Sequence, residues 1–194
     1  MRRNKTLLII LLAFAAVLGG AYALYDRLSG MVETDQLTVE EEAAQETEET
    51  EAVQAPDFTV YDGEGNAVQL SDYFGRPIVL NFWASWCGPC QSEMPEFEAA
   101  YGELGEEIHF LMVNMTTGRE TQESADEFLT SAGYTFPVLY DTEGDAMTTY
   151  GAYSLPTTYF IDAEGYAIAR AVGALDGEVL QQGIDMIAPA AEES

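Results

Sequence analysis

Basic residues are scarce in this chain of 194 residues, in which 7 lysines and arginines stand against 34 aspartates and glutamates, a formal net charge of −27 at pH 7. A chain this acidic repels phosphate backbones, so its composition argues against nucleic acid as a partner. Cysteine and histidine are scarcer still, at two and one, which excludes a multi-disulfide scaffold and leaves a poor ligand set for a metal such as zinc. The 17 glycines and 11% aromatic residues are typical of a globular chain, and the length suits one domain with an appendage.

The N-terminal segment 1–26 combines positive charge with a long apolar run. Arg2, Arg3 and Lys5 precede an uncharged stretch over 6–25, which as a helix would span about 30 Å, the thickness of a hydrocarbon core. The positive-inside rule then predicts a single-pass anchor in the cell membrane, with the rest of the chain outside the cytoplasm. A cleaved secretory signal is the alternative, because Ala21-Tyr22-Ala23 resembles a small-x-small cleavage site. The length of the apolar run favours the uncleaved anchor.

The composition divides the remainder of the chain into three parts. Nine acidic residues fall between Glu33 and Glu51, so we predict that 27–55 is a disordered, self-repelling linker. A partner-binding tail is the alternative for this stretch. The folded domain is predicted over 56–188, followed by a frayed tail over 189–194.

Apolar runs and turn residues within 56–188 predict strands that alternate with helices. Strands are predicted at 58–61, 67–70, 77–83, 108–114, 136–140, 157–162 and 166–172, and helices at 88–104, 124–132, 145–150 and 176–187. The capping-box pattern Ser124-Ala125-Asp126-Glu127 is predicted to start or to reinforce the helix that ends near Ala132. The sole histidine, His109, falls in an apolar run and is predicted to lie in the core. This order predicts an α/β domain with a mixed sheet covered on both faces.

Two cysteines lie where the predicted strand 77–83 gives way to a helix, in the order Cys87-Gly88-Pro89-Cys90. Unpaired N–H groups and the dipole at a helix start stabilise a thiolate, which favours redox chemistry at Cys87. Cys90, one turn further, would be close enough to attack a mixed disulfide. A purely structural disulfide is an alternative, although so short a loop stabilises little. A metal half-site would need two further ligands, so no metal and no cofactor beyond the redox-active disulfide are predicted.

Four segments of the chain together carry a family resemblance. They are 55–58 (Ala-Pro-Asp-Phe), 81–90 (Asn-Phe-Trp-Ala-Ser-Trp-Cys-Gly-Pro-Cys), 93–95 (Glu-Met-Pro) and 155–162 (Leu-Pro-Thr-Thr-Tyr-Phe-Ile-Asp). From about 55 to 187 the chain resembles the thioredoxin superfamily, and within it the membrane-anchored TlpA/ResA-like thiol-disulfide oxidoreductases. The resemblance implies a thioredoxin fold with an added N-terminal β-hairpin and a helical insertion before the proline segment.

The resemblance also implies roles for individual residues. Cys87 would be the nucleophile and Cys90 the resolving thiol, and the bond before Pro156 would be cis, with the backbone of Leu155 pairing with an extended substrate. Asn81 stands where cytosolic thioredoxins carry a buried aspartate, so the acid–base role would pass to Glu93. A glutamate that simply faces water, like Glu96 and Glu98, is the alternative. Trp86, Gly88 and Pro89 are the further residues expected to contact substrate.

These observations predict an extracytoplasmic enzyme that reduces disulfides in exported proteins and is itself re-reduced by a membrane thiol donor. The association of the family with cytochrome c maturation makes apocytochrome c a candidate substrate. A disulfide-forming thiol oxidase is the alternative within the same chemistry. A thiol peroxidase would need a peroxidatic cysteine in its own activating loop. A copper chaperone would need a three-residue cysteine spacing and a distal histidine, and neither pattern is evident.

Overall fold

The computed structural model describes residues 37–38 and 53–188. The predicted membrane segment 1–26, most of the predicted linker 27–55 and the predicted tail 189–194 lie outside these residues. Among the helices that the structure does describe, none has the length and apolar character needed to cross a membrane.

In the described part of the chain, eight strands form one mixed sheet with helices against it. The strands are β1 (Leu37–Thr38), β2 (Thr59–Tyr61), β3 (Ala67–Gln69), β4 (Ile78–Trp83), β5 (His109–Asn114), β6 (Val138–Tyr140), β7 (Thr157–Ile161) and β8 (Ala167–Val172). The helices are a 3₁₀ turn (Leu70–Tyr73), α1 (Gly88–Leu104), α2 (Gln122–Ala132), α3 (Asp145–Tyr150) and α4 (Gly177–Ile187). The spatial order of the strands is β1-β8-β7-β4-β5-β6-β2-β3. Strands β4, β5 and β6 run parallel, and the other pairings are antiparallel. This arrangement confirms the predicted thioredoxin-like α/β fold.

The central strand β4 is buried along its whole length, which explains why it is apolar except at Asn81. Successive side chains of a strand point to opposite faces, and those of β4 enter two separate core clusters. Val79 and Trp83 belong to a cluster that also contains residues of α1, α2 and α4. Ile78 and Leu80 belong to a cluster that contains residues of β2, the 3₁₀ turn and α3. Each buried aliphatic or aromatic side chain contributes about 1.5–3 kcal/mol, so both faces of the sheet stabilise β4.

Close contact between α4 and the sheet requires a glycine. A Cβ placed on Gly183 would lie 2.1 Å from the ring of Phe160 in β7. The absence of a side chain at this position therefore lets α4 approach β7 more closely than alanine would allow.

Three local features differ from the sequence predictions. Helix α2 begins at Gln122, two residues before the predicted Ser124, because Thr121 is its N-cap and accepts a hydrogen bond from the Ser124 N–H at 3.1 Å. His109 is half-buried at the start of β5, where its ring nitrogens lie 3.1 Å from guanidinium nitrogens of Arg76, so its predicted place in the core is wrong. Burial and the Arg76 charge hold the pKa of His109 below its usual value. Two residues within the predicted linker form β1, which pairs with β8.

Candidate active site

The two cysteines form a disulfide at the junction of β4 and α1, with their Cα atoms 5.2 Å apart. A turn closed by the Cys87 N–H and the carbonyl of Ala84, at 3.1 Å, connects the strand to the helix. Cys87 is the N-cap of α1, and its sulfur accepts a hydrogen bond from the Cys90 N–H at 3.3 Å. Pro89 occupies the first turn, where its missing N–H leaves no helix bond unmade. The Cys87 sulfur thus lies where the free N–H groups of a helix stabilise negative charge.

A groove of about 560 Å³ lies beside the disulfide. It is lined by Trp86, Cys87, Gly88, Pro89, Met115, Thr117, Arg119, Met147, Ala152, Tyr153 and Leu155. Cys87 is 5% exposed and lines the groove, whereas Cys90 is fully buried behind it. Trp86 is 47% exposed, and Gly88 and Pro89 are exposed as well. Four of the residues predicted to contact substrate, namely Trp86, Gly88, Pro89 and Leu155, therefore share one surface with Cys87.

The proline segment begins at Leu155, which lines the groove together with Tyr153. The peptide bond between Leu155 and Pro156 is cis, as the resemblance implies. Pro156 is buried, and its carbonyl accepts a hydrogen bond from Gly173 at 2.9 Å. Leu155 is half-buried and lines the groove with Cys87. The structure therefore brings the cysteine turn and the proline segment to the same groove, although about 65 residues separate them in the sequence.

Glu93 is buried on the inner face of α1 and is only 1% exposed. Its Oε1 accepts a hydrogen bond from Asn81 Nδ2 at 2.9 Å, and its Oε2 accepts one from the Leu175 N–H at 2.9 Å. Burial raises the pKa of Glu93 to about 7, and the two hydrogen bonds oppose part of that rise. The alternative that Glu93 faces water is wrong. Glu96, by contrast, is exposed on the same helix.

A polar cluster therefore lies within the core next to α1. The amide nitrogen of Asn81 donates to both Glu93 and Thr158 Oγ1, each at 2.9 Å, and all three residues are buried. The Asn81 Oδ1 atom is buried without a hydrogen-bond partner among the described residues. Glu93 lies three residues after Cys90, and residues three apart share a helix face. The carboxyl group of Glu93 therefore lies buried on the same face of α1 as Cys90, with a pKa raised to about 7.

Two residues next to the cysteine turn were not singled out from the sequence. Glu120 is only 3% exposed, and its carboxylate accepts hydrogen bonds from Ser85. The guanidinium carbon of Arg119 lies 3.9 Å from the centroid of the Trp86 ring. The scarcity of cations was the one signal in the sequence that could have pointed to Arg119, since Arg76, Arg119 and Arg170 are the only lysines or arginines after Pro56. Trp83 is enclosed in the core, so Trp86 is the tryptophan that borders the site.

Histidine, cysteine, aspartate and glutamate are the usual ligands of zinc, and all four residue types occur in the described part of the chain. No group of three or more histidine, cysteine, aspartate or glutamate side chains in this part is placed to hold a metal ion.

A disulfide at the N-cap of the helix that follows the central strand is the arrangement that the resemblance to thioredoxin-like thiol-disulfide oxidoreductases implies. Sequence comparison agrees, because the model of the AhpC/TSA family matches residues 52–169. The chain belongs to this family of thioredoxin-like proteins.

Individual relatives show which thioredoxin-like proteins the chain is similar to. The thiol-disulfide oxidoreductase ResA of Bacillus thuringiensis subsp. konkukian (strain 97-27) is 37% identical over 139 residues, which cover 70% of this chain and 78% of that protein. The crystal structure of StoA from Bacillus subtilis aligns with a TM-score of 0.59 and 26% identity, over 69% of this chain and 98% of that one. The exposed lipoprotein thioredoxin Etrx1 of Streptococcus pneumoniae strain TIGR4 aligns with a TM-score of 0.59 and 31% identity, over 67% and 98%. These similarities support a ResA-like thiol-disulfide oxidoreductase.

Proposed function

We propose that the chain reduces disulfide bonds in exported proteins, with Cys87 as the nucleophile and Cys90 as the resolving thiol. The observation that carries this proposal is the position of Cys87, which is both the N-cap of α1 and a wall of the groove that Leu155 lines. The same sulfur thus has N–H groups to stabilise a thiolate and an open side from which a substrate can approach. The backbone of Leu155, before the cis bond to Pro156, is the segment along which an extended substrate would pair.

The reaction is an exchange of two electrons. The Cys87 thiolate attacks one sulfur of the substrate disulfide, the S–S bond breaks, and the released substrate sulfur takes up a proton. Cys90 then attacks the Cys87 sulfur of the mixed disulfide, which frees the second substrate thiol and leaves the Cys87–Cys90 disulfide. Before this step Cys90 must lose a proton, and we assign its acceptance to Glu93, whose pKa is about 7.

The charges around the cysteines favour reduction over oxidation. A thiol pair becomes oxidising when its reduced form is stabilised as a thiolate, and nearby cations have this effect. Here the two residues between the thiols are Gly88 and Pro89, and the chain from Pro56 onward carries three arginines against 24 acidic residues. This acidic field opposes the thiolate, while the helix N-terminus and Arg119, which lines the groove with Cys87, favour it. We therefore expect the thiol pair to have a reduction potential similar to that of thioredoxin.

An extracytoplasmic location is supported by the sequence and by a relative. The apolar run over 6–25 follows a basic cluster, and Etrx1, 31% identical, is described as an exposed lipoprotein. The chain has no cysteine near the end of its apolar run, so its attachment would be the helix itself. A membrane thiol donor would re-reduce the disulfide, and apocytochrome c is a candidate substrate through the family resemblance.

The roles of the two cysteines are tested with the variants Cys87→Ser and Cys90→Ser. Cys90→Ser should accumulate mixed disulfides with substrate proteins, because only the resolving step is lost, and dithiothreitol should release them. Cys87→Ser should form none and should not reduce insulin disulfides. Trapping by Cys87→Ser, with none by Cys90→Ser, would reverse the assignment.

The location is tested separately in intact cells. A membrane-impermeant maleimide should label the reduced cysteine pair before lysis, and the mature protein should keep the residues that precede 25. Labelling that requires lysis would contradict the proposed topology. A mature N-terminus near Leu24 would show that the segment is a cleaved signal.

A further inference from the structure

Two consecutive residues in the loop between β5 and α2 contact two consecutive residues of the cysteine turn. Glu120 accepts hydrogen bonds from Ser85, through Oε1 from the N–H at 2.8 Å and through Oε2 from the hydroxyl at 2.9 Å. Arg119 lies against the ring of Trp86 at 3.9 Å. Ser85 and Trp86 immediately precede Cys87, so this loop holds the segment that delivers the nucleophile to the helix.

Both carboxylate oxygens of Glu120 accept hydrogen bonds. Asn114 Nδ2, at the end of β5, also donates to Oε1 at 2.9 Å, so three donors converge on the two oxygens of a side chain that is 3% exposed. A carboxylate without a proton accepts all three, and hydrogen bonds to a charged group are about twice as strong as neutral ones. The remaining polar atom of Ser85, its carbonyl oxygen, accepts from Gln91 Nε2 at 2.5 Å. The N–H and the hydroxyl of Ser85 are therefore bonded to the loop, and its carbonyl oxygen is bonded to α1.

We propose that Glu120 is a positioning residue for the redox pair, which fixes Ser85 and thereby holds Cys87 at the N-cap of α1. The inference rests on the proposed role of Cys87 as the nucleophile. The turn from Ala84 to Cys87 is closed by one backbone hydrogen bond of 3.1 Å, and the Cys87 sulfur meets the Cys90 N–H at 3.3 Å. A displacement of about 1 Å at such a site can cost a hundredfold in rate.

Glu120→Gln separates geometry from charge. The carbonyl oxygen of the glutamine can accept from the Ser85 N–H and from Asn114, while its amide donates to the Ser85 hydroxyl, which can act as an acceptor. The glutamine thus preserves the positions and removes the charge. Glu120→Ala removes both, and it leaves the Ser85 N–H and the Asn114 amide without their acceptor.

Loss of the Glu120 charge and loss of the turn geometry would shift the pKa of the Cys87 thiol in opposite directions. Loss of the negative charge alone would lower the apparent pKa of Cys87, because a nearby anion disfavours a thiolate. Loss of the turn geometry would raise it, because the hydrogen bond at the N-cap weakens. The pH profile of Cys87 alkylation by iodoacetamide therefore distinguishes a positioning role from a purely electrostatic one.

The experiment compares wild type, Glu120→Ala, Glu120→Gln and the control Glu127→Ala, an exposed acidic residue of α2, in the full-length protein. We expect Glu120→Ala to lower kcat/KM for insulin reduction at least tenfold and to raise the alkylation pKa. Glu120→Gln should stay within threefold of wild type without an upward pKa shift, and Glu127→Ala should match wild type. Equal activity of Glu120→Ala and Glu127→Ala, or an equal loss in Glu120→Ala and Glu120→Gln, would overturn the proposal.

Ser85→Ala provides a milder variant that keeps the carboxylate and removes a single donor. It should lower kcat/KM by about threefold, and in the Glu120→Gln background it should add a smaller effect, because the two side chains share one hydrogen bond. Full additivity would contradict the coupling. A wild-type protein that reduces no disulfide would refute the proposed function, while the alkylation profiles would still decide the role of Glu120.

Discussion

The buried carboxyl group of Glu93 should make the stability of the folded domain depend on pH. Its pKa is about 7 in the folded protein, against 4.5 for an ordinary glutamate. A raised folded-state pKa means that the protonated form is favoured by folding. The resulting stabilisation is complete below the unfolded pKa, is lost as the pH rises towards 7, and is absent above it. The difference between the two pKa values corresponds to about 3 kcal/mol.

The variant Glu93→Gln removes this titration while it keeps a side chain of the same shape. Urea unfolding of the oxidised protein and of the variant at several pH values from 4 to 8.5 would give the free energy of unfolding of each. The difference between the two proteins cancels the contribution of the other acidic residues. We expect the variant to gain about 3 kcal/mol relative to wild type between pH 4 and pH 8, on top of an offset that does not change with pH.

The matched control is Glu96→Gln, on the same helix but exposed. Its difference from wild type should change little across the same pH range, because folding leaves this side chain exposed to solvent. A pH-independent difference for Glu93→Gln would refute the reasoning. It would mean that Glu93 titrates like an ordinary glutamate and is no proton acceptor near neutral pH.

Two further predictions concern the thiols and the packing. Glu93→Gln should also lower the apparent pKa of Cys87 in the reduced protein by up to about one unit, because it removes a negative charge about one to two helical turns away. Thiolate absorbance titrations would show this shift, and an unchanged or raised pKa would contradict the prediction. Gly183→Ala should destabilise the domain by about 1–3 kcal/mol in urea unfolding, because the new Cβ would overlap the ring of Phe160. Gly102→Ala in α1 is the control, because a Cβ on Gly102 meets nothing within 4 Å and alanine is the better helix former. Equal effects of the two variants would contradict the packing argument.

The parts of the fold that depend on local sequence were predictable. The run Ile78–Trp83 is apolar at every position except Asn81 because both of its faces are buried, and such a run indicates a central strand. The proline after Cys87 and the helix that follows are likewise a local pattern, since Pro89 fits the first helical turn. The family resemblance added the link between this turn and the cis bond at Pro156.

The parts that depend on distant contacts were not predictable from local patterns. Glu93 and Glu96 look equivalent along α1, and what separates them is that Glu93 meets Asn81 and Leu175, which lie 12 and 82 residues away. Glu120 lies in a polar loop that resembles any solvated turn, and its burial follows from the approach of Ser85, 35 residues away. In each case a neighbour far along the chain decides whether a carboxyl group faces water.

The reduction potential of the Cys87–Cys90 disulfide tests the central claim, that the chain is a reductant, most directly. It is measured by equilibrating the full-length protein with glutathione buffers of known ratio and quantifying the free thiols. The acidic surroundings and the absence of a cation between the thiols predict a value near that of thioredoxin, about −270 mV. A value near about −120 mV, that of the strong oxidant DsbA, would contradict the account and identify a disulfide-forming enzyme.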